Sequence, residues 1–321
     1  MSVKILESTR RIYLSEIYDT AILGAGPAGI SAAIYAARAK LNALWLDKQF
    51  EQGGQVLNTY EVDNYPGMPG ISGMDLGEAM AGHAAKLGIE PFRENVLSVE
   101  DAGTEKIIRT KKHEYRARTV ILACGASHRK LNIPGEEELS GMGVSYCATC
   151  DGAFFKNKTA VVVGGGNMAV EDAIFLSRIC RKVYLVHRRE ELRAERILQE
   201  SLFACENVEI RWNSVAVEIQ GTECVTGLKI RDVQDATESV IDTDGVFIAV
   251  GILPNTDKFR NLVKLDEAGY IVAGEEGITE TPGIFAAGDI RTKMLRQVVT
   301  AVADGANAVA SVQNYLIHRR D

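Results

Sequence analysis

The hydrophobic and polar positions follow the same local order at two places in the chain. Near the N-terminus, an apolar strand at 19–23 leads into a glycine-rich turn at 24–29, a helix at 30–39 and a second apolar strand at 41–46. Short apolar runs between turn residues predict strands, and the longer run between them predicts a helix. This order predicts a βαβ unit.

The order recurs with a strand at 159–163, a turn at 164–169, a helix ending near residue 179 and a strand at 182–186. The two glycine turns lie 140 residues apart (164 minus 24). This spacing is too long for a solenoid repeat, but it fits two successive nucleotide-binding domains. We therefore expect an α/β protein with two Rossmann-like domains.

The remaining pattern indicates where the chain crosses between these domains. A strand at 117–123 followed by a turn at Pro134-Gly135 marks one crossing, and residues 251–254 mark another. A segment at 283–289 and a helix of small residues from 297 to about 315 follow. Because one strand and one helix cannot enclose a core of their own, we expect this tail to return to the first domain.

Composition narrows the class of protein and its partners. The chain has 321 residues, 46% of them hydrophobic, and a formal net charge of -7, which argues against nucleic-acid partners and against a basic membrane-binding patch. Charged residues interrupt the first dozen positions, and no apolar run is long enough to span a membrane. Six cysteines are too few for a secreted disulfide scaffold, so we expect a cytoplasmic protein with mostly free thiols.

The first glycine turn matches the dinucleotide fingerprint G-x-G-x-x-G between a strand and a helix. Gly24 permits the tight turn, Gly26 lets backbone N–H groups approach a pyrophosphate, and Gly29 allows close packing of helix and strand. Asp47 ends the second strand, where a carboxylate can accept hydrogen bonds from ribose hydroxyls. These features predict a dinucleotide site.

The second glycine turn ends in alanine at position 169, a variant that the fingerprint allows. After the next strand it has His187, Arg188 and Arg189, followed by Arg193, where the first unit has an aspartate. The cluster starts 23 residues after Gly164 (187 minus 164), close to the ribose-binding position. Cations there would bind a 2′-phosphate through charge-assisted hydrogen bonds, which favours NADPH over NADH.

Cys147 and Cys150 form a C-x-x-C motif, whose spacing allows a disulfide and lowers the pKa of one thiol. Asp151 follows directly and could act as an acid or base for the leaving thiol, although an aspartate there is often only a turn or cap residue. The alternative is that the two cysteines are two of the four ligands of a zinc site. The chain's other cysteines show no second pair at ligand spacing, so we expect no metal; they are Cys124, Cys180, Cys205 and Cys224.

In these motifs and their order, the chain resembles the low-molecular-weight thioredoxin reductases from residue 18 to residue 315. The resemblance implies an α/β fold of two three-layer (ββα) domains, with an N-terminal extension at 1–17. The FAD-binding domain would be discontinuous, at 18–126 and 254–321, and the NADPH-binding domain with the cysteine pair would be inserted at 127–253. Further matching segments are Gly53-Gly54-Gln55, Asn64-Tyr65-Pro66-Gly67 and Ala287-Gly288-Asp289 with Arg296-Gln297.

The resemblance also implies an activity and the residues that carry it. A homodimer would pass reducing equivalents from NADPH through FAD to the disulfide, and then to thioredoxin or a thioredoxin-like protein. Cys150 would face the flavin, Cys147 would attack the partner's disulfide, and Asp151 would supply a proton. The family rotates its NADPH domain, because nicotinamide and disulfide cannot meet one flavin face at once, and hinges would lie near Pro134 and Gly251.

The cofactor residues implied by the resemblance and the fingerprints form two sets. Those expected at FAD are Gly24, Ala25, Gly26, Pro27, Ala28, Gly29, Asp47, Lys48, Gly54, Gln55, Asn64, Ala123, Gly125, Gly288, Asp289, Arg296, Gln297 and Val298. Those expected at NADPH are Gly164, Gly166, Asn167, Met168, Ala169, His187, Arg188, Arg189, Arg193 and Gly251.

Two residues depart from the family's pattern. Met168 replaces a frequent serine or threonine, so one hydroxyl contact to the NADPH phosphates is expected to be missing. Cys124 replaces a usual threonine near the domain crossing. Three alternative functions stay open: a related reductase with a peroxiredoxin-type acceptor, one with ferredoxin as donor, or a nucleotide-sensing dimer without turnover. Ferredoxin-dependent relatives lack the second glycine loop and the arginines, and a sensor would be expected to lack a cysteine or the proton donor.

Overall fold

A computed structural model describes residues 17–318 except 60, 61 and 63. The predicted extension at 1–17 lies outside this range except for its last residue. The chain forms two compact units. Of the described residues, those at 17–52, 81–125 and 256–318 form the first unit, and those at 53–80 and 126–255 form the second.

The elements are numbered in chain order. The strands are β1 (Ile17–Leu23), β2 (Ala43–Asp47), β3 (Phe92–Arg93), β4 (Val96–Asp101), β5 (Lys106–Thr110), β6 (Glu114–Leu122), β7 (Ala126–His128), β8 (Val144–Ser145), β9 (Thr159–Gly164), β10 (Lys182–Val186), β11 (Val208–Arg211), β12 (Ser214–Gly221), β13 (Val225–Asp232), β14 (Glu238–Asp242), β15 (Gly245–Ala249), β16 (Ile252–Pro254) and β17 (Ile284–Ala286). The helices are α1 (Pro27–Arg38), α2 (Gly73–Lys86), α3 (Ala148–Asp151), α4 (Asn167–Ser177), α5 (Arg196–Phe203) and α6 (Val298–His318).

The first unit is built on a sheet with strand order β3-β2-β1-β6-β5-β4, and β17 also pairs with β6. β1 lies parallel to β2 and β6, and β17 lies parallel to β6, so their carboxyl ends share one edge. β5 and β4 extend the sheet antiparallel. α6 packs on α1, where the Ser31 hydroxyl donates to the Val302 carbonyl at 2.7 Å. The tail therefore returns to the first unit, as the pattern predicted.

The second unit has a parallel sheet of order β11-β10-β9-β15-β8 between two other layers. Successive residues of β9 point to opposite faces of this sheet. Val162 belongs to the core shared with α4, whereas Val161 and Val163 belong to the core shared with the antiparallel strands β12 and β13. Both faces are thus buried, which explains the continuous apolar run in β9. The α/β class with two Rossmann-like units is confirmed.

Two element boundaries differ from the sequence-based expectation for the same reason. α1 begins at Pro27 and α4 at Asn167, inside the predicted turns. Gly26 and Gly166 are the N-cap residues, so the last part of each glycine motif is already the first turn of a helix. Proline suits this first position because its missing N–H would have no helical partner there.

Residues 53–80 group with the second unit in the structure, whereas the prediction assigned 18–126 to one domain. The division of the chain by cofactor therefore stays a prediction. Among the residues that the structure describes, no helix combines the length and the apolar character needed to cross a membrane.

The core of the first unit makes a stability prediction. Leu122 is 0% exposed on the central strand β6, whereas Leu97 on β4 is 44% exposed. Leu122→Ala should lower the free energy of unfolding by about 2–5 kcal/mol, because it removes buried methyl groups and leaves a cavity. Leu97→Ala is the matched control and should change it by less than about 0.5 kcal/mol. Urea unfolding followed by circular dichroism compares the two variants, and equal losses would contradict this account of the core.

Candidate active site

The first glycine loop is held by residues of β2. Gly24 has φ +115°, and a Cβ there would lie 2.3 Å from the Ala123 carbonyl oxygen on the neighbouring strand. The Trp45 indole N–H donates to the Gly24 carbonyl at 2.9 Å. Ala25 N–H donates to Asp47 Oδ2 at 2.6 Å. The loop therefore has little freedom, and it presents the N-terminus of α1.

This loop offers hydrogen-bond donors to an anionic group. The first N–H groups of a helix lack helical partners, and Gly26 places no side chain over them. Asp47 already accepts from Ala25 N–H and, through Oδ1, from Gln49 N–H at 2.6 Å. Each carboxylate oxygen has two acceptor sites, so Asp47 can also accept from a ribose hydroxyl.

A buried carboxylate organises the segment between β17 and α6. Asp304 accepts from Gly288 N–H at 2.8 Å, from the Arg291 guanidinium at 2.6 and 2.8 Å, and from Lys293 Nζ at 2.9 Å. All three charged side chains are less than 9% exposed. A Cβ on Gly288 would lie 2.8 Å from Ala28 Cβ, so this segment contacts α1 directly. The predicted residues Gly288 and Ala28 are thus brought together.

Two other predicted residues of this segment carry polar atoms without partners among the described residues. Asp289 Oδ1 and Arg296 Nε are both buried and lack a hydrogen bond. Burial raises the pKa of Asp289, while Lys293 and Arg296 lower it. The Arg296 guanidinium carbon lies 4.0 Å from the centre of the Tyr270 ring. A buried acceptor and a buried donor of this kind fit a polar cofactor that hydrogen-bonds to both.

The remaining residues predicted for the first cofactor are spread over both units. Lys48 follows β2, Gly125 has φ +64° with open space at its Cβ position, and Gln297 precedes Val298 at the start of α6. In the second unit, the Gln55 side-chain amide donates to the Ala126 carbonyl. Gly54 and Asn64 also belong to that unit. Their contact with a cofactor stays a prediction.

The second glycine loop rests on a buried histidine. A Cβ on Gly165 would lie 2.1 Å from His187 Nδ1, so the ring fills the space directly behind the loop. His187 Nε2 donates to the Glu191 carbonyl at 3.0 Å, and the ring packs edge-on against Trp212. Burial lowers the pKa of His187, with the charges of Arg189 and Arg188 acting in the same direction. His187 therefore supports the loop as a neutral ring.

The three predicted arginines differ from His187 in exposure. Arg188, Arg189 and Arg193 are exposed, and within the described part of the chain none of them pairs with a carboxylate. Arg193 N–H donates to the Gly165 carbonyl at 2.7 Å, which fixes its backbone beside the loop. Three cations next to a helix N-terminus form a site suited to a phosphate.

The other residues predicted at the second loop differ in how closely they are packed and in what they contact. A Cβ on Gly164 would lie 2.4 Å from the Ala249 carbonyl oxygen and 2.6 Å from Ala169 Cβ. Asn167 Nδ2 donates to Glu195 Oε1 at 3.1 Å, and Asn167 Oδ1 accepts from Glu195 N–H at 2.9 Å. The Met168 side chain packs against the apolar core of the unit. The predicted residues Gly166 and Gly251 have open space at the Cβ position.

Cys147 and Cys150 form a disulfide with an S–S distance of 2.07 Å. They lie at the start and within the single turn of α3, where Asp151 N–H donates to the Cys147 carbonyl at 3.1 Å. This single turn holds the two cysteines at the spacing that the disulfide needs. In the described part of the chain, no three histidine, cysteine or acidic side chains come together as metal ligands.

Asp151 belongs to a small hydrogen-bonded network beside the disulfide. Its Oδ2 accepts from the Ser145 hydroxyl at 2.6 Å, and its buried Oδ1 has no hydrogen-bond partner among the described residues. Burial raises the pKa of Asp151, and the Ser145 hydrogen bond lowers it. The same hydroxyl accepts from Cys147 N–H at 3.0 Å. This geometry can hold a proton next to the redox pair.

The cysteines outside the pair have a different character. Cys124 Sγ donates to the Leu23 carbonyl at 3.3 Å, and burial raises the pKa of its thiol to about 12. Burial also raises the pKa of Cys180 to about 11. Such thiols stay protonated at neutral pH and are poor nucleophiles. Cys124 and Cys180 are therefore unsuited to nucleophilic chemistry, whereas Cys147 and Cys150 form the disulfide.

Comparison with known proteins identifies the family. A family model described as pyridine nucleotide-disulphide oxidoreductase matches residues 18–305. A thioredoxin reductase of Listeria monocytogenes is 50% identical over 302 residues, covering 94% of both chains. That of Bacillus subtilis is 47% identical over 302 residues, covering 94% of this chain and 95% of that one. The crystal structure of thioredoxin reductase from Streptococcus pyogenes superposes with a TM-score of 0.90 at 44% identity, covering 94% of this chain and 99% of that one.

The chain belongs to the pyridine nucleotide-disulphide oxidoreductase family. It is an oxidoreductase, and its resemblance to the thioredoxin reductases is confirmed.

Sequence reasoning missed three side chains that position the site of this oxidoreductase. They are Trp45 under the first loop, Asp304 under the returning segment and Ser145 beside the disulfide. Trp45 and Ser145 lie only two residues from Asp47 and Cys147, but Trp45 acts through one hydrogen bond and Ser145 through two, and neither arrangement has a sequence motif. Asp304 was hidden because it appears in the sequence as one charge within a helix of small residues.

The first glycine loop makes a second stability prediction. Gly24→Ala should lower the free energy of unfolding by about 1–3 kcal/mol, because φ +115° is strained for alanine and the new Cβ would overlap the Ala123 carbonyl. Gly82→Ala, in α2 with open space at its Cβ, should raise it by about 0.5–1 kcal/mol. Urea unfolding measures both variants. A stable Gly24→Ala protein would show that the loop has more room than the structure gives it.

Proposed function

We propose that this chain is an NADPH-dependent thioredoxin-disulfide reductase that contains FAD. In each turnover NADPH, one proton and a thioredoxin disulfide would become NADP⁺ and a thioredoxin dithiol. The observation that carries the proposal is the disulfide Cys147–Cys150 with Asp151 beside it, whose pKa is raised by burial. The unit that contains this pair also contains a glycine loop flanked by exposed arginines.

FAD is supported by the chemistry of the first unit. The N-terminus of α1 suits its pyrophosphate, and Asp47 suits a ribose hydroxyl. The buried, unpartnered Asp289 Oδ1 and Arg296 Nε suit further polar atoms of the cofactor. When bound, FAD accepts a hydride with its two electrons and passes electrons on to a disulfide.

The other steps, which are nucleotide binding, disulfide opening and proton transfer, would be carried out by side chains of the protein. Arg188, Arg189 and Arg193 would bind the 2′-phosphate that distinguishes NADPH from NADH. Cys150 would take up the electrons as the disulfide opens, and Asp151 would protonate a thiolate. Cys147 would then attack the thioredoxin disulfide and form a mixed disulfide. Attack by Cys150 on Cys147 would release the reduced partner and restore the disulfide.

The partner, the assembly and the compartment belong to the same proposal. The relatives are named thioredoxin reductases, which supports thioredoxin or a thioredoxin-like protein as the acceptor. We extend the proposal to a homodimer. Cys180, Cys205 and Cys224 are thiols in the structure, which fits the cytoplasm, where thiols stay reduced. A ferredoxin-dependent reductase would leave the arginine cluster without a role.

The activity itself is directly testable. The purified protein should contain FAD, and NADPH should bleach its absorbance within a single turnover. With thioredoxin from the same source, the protein should oxidise NADPH continuously. Cys150→Ser should abolish this turnover while FAD remains bound, because the disulfide can no longer form. A colourless protein that does not take up FAD, or a Cys150→Ser variant with full turnover, would overturn the proposal.

The choice of nicotinamide cofactor is a separate prediction. Arg188→Ala and Arg189→Ala should each weaken NADPH binding about ten- to a hundredfold, because each removes a charge-assisted hydrogen bond worth about 1.5–3 kcal/mol. NADH binding should barely change. Arg178→Ala is the matched control, since Arg178 is an exposed arginine at the opposite end of α4 from the glycine loop. Fluorescence titration with both nucleotides decides it, and equal losses for NADPH and NADH would remove the 2′-phosphate assignment.

A further inference from the structure

Ser145 connects two parts of the redox segment through one hydroxyl. It ends β8 and is 5% exposed. Its Oγ accepts from Cys147 N–H at 3.0 Å and lies 2.6 Å from Asp151 Oδ2 and 3.3 Å from the Cys147 carbonyl. A hydroxyl has a single proton, and the shorter distance to a carboxylate directs that proton to Asp151. Ser145 thereby joins the backbone of one cysteine to the neighbouring carboxyl group.

We propose that Ser145 is a positioning residue that sets the proton transfer from Asp151 to the redox pair. The inference rests on the proposed function, because it concerns the opening of the same disulfide. It assigns Ser145 two tasks. The hydroxyl orients the Asp151 carboxyl group, and it stabilises the carboxylate that remains after the proton has left.

The chemical step balances with groups already named. Two electrons from the hydride of NADPH enter the Cys147–Cys150 bond, which breaks to give two thiolates, and the proton of that hydride is released to solvent. The Asp151 carboxyl proton passes to one of these thiolates, and the other remains charged. Asp151 is then a carboxylate, and the Ser145 O–H donates to it. A hydrogen bond to a charged acceptor is stronger than one to a neutral acceptor, so Ser145 favours the products of this transfer.

Two opposing effects act on the Asp151 proton. Burial raises the pKa of Asp151 and keeps the proton on the carboxyl group, whereas the Ser145 hydrogen bond lowers that pKa. Ser145 and Asp151 both line a cavity of about 220 Å³. A cavity of this size can admit water where polar groups line it, and Ser145, Asp151 and Lys158 are such groups here. Solvent can therefore return a proton to Asp151 after each turnover.

Other titratable groups face this region, and the experiment has to separate them. Lys158, Cys224 and Asp244 line the same cavity. α4 packs against α3 and carries Asp172, and burial, together with Glu171, raises the pKa of Asp172 to about 7.

A further pair lies beside the redox segment. The His128 ring stacks on Tyr146 at 5.1 Å, and burial lowers the pKa of His128. The Tyr146 hydroxyl donates to Glu136 at 2.7 Å, and burial and this carboxylate raise the pKa of Tyr146. Asp172 and His128 are thus the groups whose titration could be mistaken for that of Asp151.

The test measures the Asp151 carboxyl directly. Protein labelled with carboxyl-¹³C aspartate is titrated by NMR, and the Asp151 signal is assigned by its loss in Asp151→Asn. In Ser145→Ala this signal should titrate about one to two pH units higher than in the wild type, because a stabilising bond to the carboxylate is gone. Ser145→Thr keeps the hydroxyl and should titrate like the wild type. Asp172→Asn, His128→Gln and Ser177→Ala, which removes a hydroxyl that bonds to the Ile174 carbonyl, should leave the Asp151 signal in place.

The pH dependence of the activity should shift in the same direction as the titration of Asp151. Protonated Asp151 is the active form, so NADPH-driven thioredoxin reduction should fall as the pH rises through its pKa, and this fall should move to higher pH in Ser145→Ala. An unshifted Asp151 signal in Ser145→Ala would overturn the proposal, as would an unchanged alkaline fall in Asp151→Asn. Ser145→Gly provides the same comparison if the alanine variant does not fold. Failure of the wild type to reduce thioredoxin would instead overturn the proposed function, while the NMR titration would still decide the role of Ser145.

Discussion

No side chain fits between the glycine turns and the strands beside them. A Cβ on Gly24 would lie 2.3 Å from the Ala123 carbonyl oxygen, and a Cβ on Gly164 would lie 2.4 Å from that of Ala249. Each contact joins the end of the strand that leads into the turn to the end of its parallel neighbour in the sheet. Because glycine allows this approach, a helix can follow the strand at once. The unpaired N–H groups of α1 and α4 are therefore brought to the carboxyl edge of each sheet.

The two units support these turns differently, each from the end of the strand that follows α1 or α4, where Asp47 is the last residue of β2 and His187 comes directly after β10. Asp47 holds the first loop by accepting from Ala25 N–H, whereas His187 fills the space behind Gly165 as a neutral ring. In both units, this position stabilises the loop before it contacts any ligand. In the second unit the positive charge therefore comes from the next residues, Arg188 and Arg189, which are exposed. The residue that supports the loop and the arginines proposed to bind the phosphate are therefore neighbours in the chain.

The sequence predicted the glycine turns, the cysteine pair and the returning tail, because each depends on local residue types or on a simple packing requirement. It predicted a phosphate-binding role for His187 but could not show that the ring is buried, since side-chain direction depends on Trp212 and the neighbouring strand. It also could not place residues 53–80 with the second unit. Long-range packing of a loop segment has no periodic signal. Ser145 escaped notice because one hydroxyl with two hydrogen bonds has no motif.

Ser145 matters in the redox segment because it acts on the proton of Asp151. A proton donor beside a disulfide must hold its proton at neutral pH and still release it when a thiolate forms. Burial alone would hold the proton too firmly, and exposure alone would lose it to solvent. In this chain burial and the Ser145 hydroxyl act on Asp151 in opposite directions. Both effects arise within the second unit, so the proton balance of the cysteine pair is set by the same residues that place its sulfurs.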